Sequence, residues 1–417
     1  MRRILLAAAI LPVLAFAPPA AAKGFFISSS DKGEGVFVFQ SSDDDGGKIL
    51  IRTKKAEFQT EWKGEFDIAP DGRSLARLDG RMSVESKKGP HSRRVEYTGR
   101  KGGIEEAYFV DGERKTIDAA TRKEIGEMML SFVRISGIDA DERVESILKS
   151  GGVNAVLAEI GEIPESHAAM RYMISLAEQA PLKPAHIENL SARIADLDGD
   201  HDKRRAIEAL FEHQSLSAAS REMLLKSADR MTSDHELRLL VEAASAGEMT
   251  EGAAETAFAL LKRISSDHDF RLGAEALLDN KAFADRDAAS LLALAGDHID
   301  SDHELRLIVE TASGRIGRSE AVAVSALTAI SSIKSSHEKR LAIEEVADAL
   351  PRRSRHWEAL IAAAGAIGSD HEAGNALETI ADAMPREPGL LAAYRQAVAK
   401  IDSQREREQA LEAIGAN

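Results

Sequence analysis

A period constrains this chain more than any other feature. His167, His201, His235, His268, His303, His337, His371 and Arg405 stand in one column at intervals of 33 to 35 residues. Four residues before each member is an apolar residue, from Ile163 and Leu197 through to Ile367 and Ile401. Six residues after it stands another, such as Ile207, Val241, Val309 and Leu411. Self-similarity at this spacing signals one supersecondary unit copied along the chain.

Each copy reads as two helices and two turns. In Ser233-Asp234-His235-Glu236 the serine is placed to cap the first turn. The glutamate three residues on is placed to reach back to the serine's own amide, as in a capping box. The same spacing recurs at Ser266, Ser301, Ser335, Ser369 and Ser403. A second breaker follows within each copy: Pro181, Gly247, Asn280, Gly314, Pro351 or Pro385. A hairpin of amphipathic helices cannot bury its apolar faces alone, so the copies must stack and share a core. The expected array is an α-solenoid of about seven hairpins of 34 residues, over residues 162–417, with Ala-rich second helices that pack closely.

The period changes to two between residues 23 and 116. Val36 and Val38, Ile49 and Ile51, Phe66 and Ile68, Met82 and Val84, and Val95 and Tyr97 alternate with polar neighbours, as half-buried strands do. Turn residues at Pro70-Asp71-Gly72, Asp79-Gly80, Lys88-Gly89-Pro90 and Asp111-Gly112 separate them, which predicts an antiparallel β-rich head. Phe25, Phe26, Phe37, Phe39, Phe58, Trp62 and Phe66 are its expected core. A helical connector follows over residues 117–161. The fold class is therefore α+β, mainly α. Ahead of the head, Arg2 and Arg3 precede an apolar run to Ala17, then Pro18, Pro19 and three alanines. This is the pattern of a secretory signal over residues 1–22, too short for a bilayer span, and it predicts a periplasmic or secreted product.

Composition removes several classes of chemistry. With no cysteine, thiol nucleophiles, zinc–cysteine sites and disulfides are excluded. A formal charge of −15 argues against a nucleic-acid partner, which requires a basic footprint. The column histidines do not converge on a metal, because equivalent positions in stacked units lie about one helix packing distance apart, 8 to 10 Å. The His-Glu pairs at His235, His303, His337 and His371 lack the second histidine of HExxH; Leu239, Leu307, Leu341 and Asn375 stand there. Asp43-Asp44-Asp45 reads as a polar loop and Gly99-Arg100-Lys101-Gly102-Gly103 as a hairpin turn. No cofactor, metal or catalytic set is expected. One turn after the column, Arg204, Arg238, Arg271, Arg306 and Arg340 form a ladder. It reads either as a solvated face paired with Asp200, Asp234, Asp267 and Asp302, or as a surface that meets an acidic partner. The histidines read as repeat-register residues, with collective pH sensing as the sharper alternative.

The hairpin repeat resembles the tetratricopeptide-like and HEAT-like solenoids, although no unit carries the tetratricopeptide Trp, Leu-Gly, Tyr and Pro set. The Ser-Asp-(Tyr/His)-Glu-x-Arg signature is similar to that of uncharacterised bacterial envelope proteins with a β head, and to the extracytoplasmic tails of some antibiotic-sensor-type membrane metallopeptidases. Tyr108 to Gly112 followed by Ile117-Asp118 resembles the head of that group, while its peptidase helices and zinc motif are missing here. The resemblance implies sensing or binding at the envelope. The expected function is non-enzymatic: a solenoid groove offered to a protein or peptide partner. A pH- or stress-responsive regulator, and an enzyme with its site in the head or at the head–solenoid junction, are the alternatives.

Overall fold

The structure is a computed structural model that describes residues 25–29, 36–43, 46–52, 57–247 and 249–415. Main chain alone is described for the first two segments. The expected signal at residues 1–22, and Asp44 and Asp45, lie outside these residues, as do the side chains of Asp43, Phe25, Phe26, Phe37 and Phe39. The described residues divide into two compact units, up to Tyr172 and from Met173.

The first unit opens with an eight-stranded antiparallel meander whose spatial order is its chain order. The strands are β1 (Phe25–Ser29), β2 (Val36–Asp43), β3 (Gly46–Arg52), β4 (Glu57–Ile68), β5 (Leu75–Lys88), β6 (His91–Arg100), β7 (Gly103–Val110) and β8 (Glu113–Lys115). Arg100 pairs with Gly103, so residues 99–103 form the hairpin turn their glycines predict. Alternation places Ile51 opposite Phe58, Val84 opposite Val95 and Val95 opposite Tyr108 on one face, all buried. Gly64 and Gly80 face each other across the long β4–β5 hairpin with φ of 84° and 120°. A Cβ on either would run into the backbone carbonyl of the opposite strand, so the close crossing requires glycine.

The face is closed by helix α1 (Ala119–Ser136), capped by Asp118, whose carboxylate accepts from the Thr121 amide at 2.8 Å. Ile125, Met128, Met129, Phe132 and Val133 recur at helical spacing and join the sheet's apolar cluster. The connector helix is thus part of the head's core. Helix α2 (Ala140–Glu162) is broken at Gly152, at φ 69° and ψ −171°, which divides it at the Gly151-Gly152 pair. Trp62 and Phe66 pack against the cluster as a T-shaped pair with ring centroids 5.7 Å apart.

The rest is helical: α3 (Ser166–Gln179), α4 (Pro184–Ala195), α5 (Asp200–His213), α6 (Ala218–Lys226), α7 (Asp234–Ser245), α8 (Glu251–Leu261), α9 (Asp267–Asp279), α10 (Asp285–His298), α11 (Asp302–Ile316), α12 (Glu320–Ser332), α13 (Ser336–Ala349), α14 (Trp357–Ala364), α15 (Asp370–Ala383), α16 (Pro388–Val398) and α17 (Gln404–Ala413). From α5 to α17 each odd-numbered helix packs on the next odd-numbered one. The even-numbered helices do the same along α4, α6 and α8 and along α10, α12, α14 and α16. This is a two-layer repeat stack. The apolar residues flanking the column form its core, with Ile207, Val241, Val309, Ile343 and Leu377 all fully buried. Ala326, Ala329, Ala364 and Ala397 let the second helices approach closely.

Candidate functional site

The column opens each odd-numbered helix, and the structure assigns every letter of its signature a separate task. Serine is the N-cap: the side chains of Ser233, Ser266, Ser301, Ser335, Ser369 and Ser403 accept from the amide three residues on. The second half of the expected capping box does not form. The serine's own amide donates instead to the aspartate of the preceding unit: Ser233 to Asp200, Ser266 to Asp234 and Ser301 to Asp267, each at 2.8 Å, Ser335 to Asp302 at 2.6 Å and Ser403 to Asp370 at 2.7 Å. One carboxylate thereby satisfies an orphan donor of the next helix start.

These aspartates are therefore not the ladder's partners, as their i to i+4 spacing suggested. Each arginine bridges forward instead. Arg204 Nε donates to Glu236, Arg238 to Asp269 at 2.9 Å, Arg271 to Glu304, Arg306 to Glu338 at 2.7 Å and Arg340 to Glu372. The Nη1 groups reach a carboxylate one turn on in their own helices: Glu208 at 2.6 Å, Glu242 at 2.8 Å, Glu275 at 2.7 Å, Glu310 at 2.6 Å and Glu344 at 2.7 Å. All five arginine side chains are only 10 to 17% exposed. Burial opposes the charge of Arg204, Arg238, Arg271 and Arg340, but the hydrogen bonds they donate to both carboxylates, with the carboxylates' charge, outweigh it and hold the guanidinium above its ordinary pKa. The planar fork suits this two-carboxylate geometry as a lysine's point charge does not. A partner's carboxylate would have to displace one already in place.

The histidines line the rim of the ladder. His201, His235, His268, His303, His337 and His371 are exposed, and His167 is half-buried at the start of α3. His201 Nδ1 lies 3.2 Å from Arg204 Nη2 and His235 Nδ1 3.1 Å from Arg238 Nη2; the guanidinium can only donate, so the ring nitrogen accepts. The rings also stand 3.4 to 3.6 Å from the next unit's glutamate at His201, His268, His303, His337 and His371.

A second set of brackets, which no short motif marks, ties the other ends of the odd-numbered helices. Gln214 Nε2 donates to the Ala180 carbonyl at 3.0 Å while its Oε1 accepts from the Leu182 amide at 2.8 Å. Asn280 Nδ2 donates to the Ser245 carbonyl at 2.7 Å. Arg315, 5% exposed at its side chain, donates to the Leu278, Asn280 and Phe283 carbonyls. Their signal is a polar residue closing an apolar helix, legible only after the register is known. In the head, a cavity of about 340 Å³ lies beside α1, where Ser86, Arg93, Lys123, Glu124 and Ser131 are among its lining residues.

No known protein family matches this chain, and no curated protein does. A solved structure described as the computational design of self-assembling cyclic protein homooligomers aligns with 69% of this chain and 91% of its own, at 16% identity and a TM-score of 0.14. No helix among the described residues is long and apolar enough to cross a membrane.

Proposed function

We propose that the chain is a secreted, periplasmic binding or scaffold protein that offers its helical array to a protein or peptide partner. The observation that carries this reading is the division of labour within each unit. The Ser, Asp, Glu and Arg of the signature are engaged between units, while the exposed equivalent positions Glu255, Ser290 and Val324 differ from hairpin to hairpin. A stack built this way holds its own geometry and leaves a long surface free to be specific. The charged start, apolar run and small residues of positions 1–22 support export.

The test is site-specific photo-crosslinking in cells, with the reactive side chain placed at Glu255 on α8 and at Val324 on α12. One discrete adduct common to both positions is the expected result; no adduct, or an unselective smear, contradicts the reading. N-terminal sequencing of the exported chain should begin at Lys23. A regulatory reading draws on the histidines at the rim, since protonation would forfeit the bond accepted from arginine while adding a cation beside a glutamate. It requires array stability to vary cooperatively between about pH 5 and 8. It also requires the His303→Gln/His337→Gln double variant to lose that dependence.

A further inference from the structure

The ladder has a sixth register whose arginine is missing from the sequence. One turn after His371 the residue is Gly374, on the buried side of α15. Both acidic positions that grip the guanidinium elsewhere are nevertheless present: Glu378 one turn along the same helix, and Glu406 at the start of α17. Glu406 is 12% exposed, against 14 to 19% for Glu236, Glu304, Glu338 and Glu372, which all have an arginine. His371 Nδ1 keeps its place, 3.6 Å from Glu406, compared with 3.5 Å from His337 to Glu372. A Cβ on Gly374 would meet the Glu406 carboxylate at 3.2 Å, so that carboxylate lies over the point from which an arginine stem would rise.

We propose that Glu378 and Glu406, with the His371 ring beside them, bind a guanidinium group supplied from outside the chain. Two carboxylates close together could be a mere acidic cluster, but the molecule holds a guanidinium between the same two register positions five times over. The electrostatics run the same way. Burial, then Glu406 and Asp382, push the Glu378 carboxyl above its ordinary range, with only His371 opposing them. Glu372 is also partly desolvated, yet the hydrogen bond from Arg340 carries it below that range. A bound guanidinium would do for Glu378 and Glu406 what Arg340 does for Glu344 and Glu372, through two charge-assisted hydrogen bonds. The group is either an arginine side chain of another polypeptide or a free guanidino compound; the chemistry at the site is common to both.

The test uses the full exported chain and follows NMR or calorimetric titration with Nα-acetyl-arginine amide, Nα-acetyl-lysine amide and a short arginine-bearing peptide. The wild type should bind the arginine amide saturably, with the lysine amide at least about fivefold weaker, because a point charge cannot span both carboxylates. Gly374→Arg should abolish binding by supplying the group in cis, and Glu406→Gln and Glu378→Gln should each weaken it by about tenfold, equivalent to roughly 1.4 kcal/mol. Gly374→Ala separates the effect of helix propensity from that of charge. Tighter binding of the peptide than of the amide identifies a polypeptide source, and equal binding a free one. Absence of saturable binding, or unchanged affinity in Gly374→Arg or in both glutamine variants, overturns the proposal. These titrations need no macromolecular partner, so their failure leaves the binding-surface reading standing, and failure of the crosslinking leaves this site standing.

Discussion

The head and the array both carry many ion pairs, but they use them differently. In the head the pairs run across strands on the solvated face, such as Lys48 with Glu61 at 2.5 Å and Arg77 with Asp67 at 2.7 Å, and the four side chains are 43 to 56% exposed. The head is held by one apolar cluster that joins the five strands β3–β7 to α1. In the array the apolar core is shared from unit to unit, and successive units are also registered by shielded Arg–carboxylate and Asp–amide brackets. A closed core can leave its charges on the surface. In a stack of near-identical helices, directional polar contacts add to the register that side-chain packing supplies.

The largest test of that contrast removes core from each region. Phe132→Ala, at a fully buried position beneath the sheet, should cost about 3 to 5 kcal/mol and raise hydrogen exchange throughout β3–β7 and α1 together. Leu240→Ala in α7 should cost about 2 to 5 kcal/mol, with faster exchange confined to α5–α9, because units in a one-dimensional stack answer mainly to their neighbours. Exchange that spreads evenly through the array would break the comparison.

Charge deletions come next. Arg271→Ala strands Glu275 and Glu304, both largely shielded, and should cost about 1 to 3 kcal/mol by chemical denaturation; Arg271→Lys should recover only part of it. Deleting Glu61 in the head should change stability by less than about 0.5 kcal/mol.

Asp139 sharpens the comparison from the head's side. It sits in the left-handed region at φ 51°, and burial, reinforced by Glu142, pushes its carboxyl from 3.8 up to about 6. The folded state then holds a proton that the unfolded state has released, so stability should fall as pH rises from about 4 to about 6 and stay lower above it. Asp139→Asn, a residue that tolerates this backbone, should flatten the profile and gain on the order of 1 kcal/mol at neutral pH, a figure reduced for partial exposure. At the small end, Ser301→Ala should cost about 1 kcal/mol and fray only the start of α11.

Much of this architecture is legible in the sequence. The meander and the hairpin stack follow from periods of two and 34, because each period states which residues must share a buried face. The serine caps also follow, being local. The destinations of Asp200, Glu236 and Arg204 are not legible, because within one helix an i to i+4 pairing and a capping box satisfy the same residues equally well. Only the stacking geometry, which brings residues 32 and 33 positions apart into contact, decides between them. The glycine at position 374 appears unremarkable until the five arginines at its register are seen to grip carboxylates.

The central claim is that the array is built of interchangeable units joined by forward-reaching brackets. Excising Asp302 to Ser335 removes one full period and joins Ser301 to Ser336, His337 and Glu338, so that a serine cap, a column histidine and a partner for Arg271 all remain in place. Circular dichroism and thermal melting of this variant should give the parent's helicity per residue and a cooperative transition within a few degrees of the parent's, whereas removing only Asp302 to Arg318 should abolish cooperative melting. Collapse of the whole-period deletion to the same extent as the half-period deletion would contradict the account.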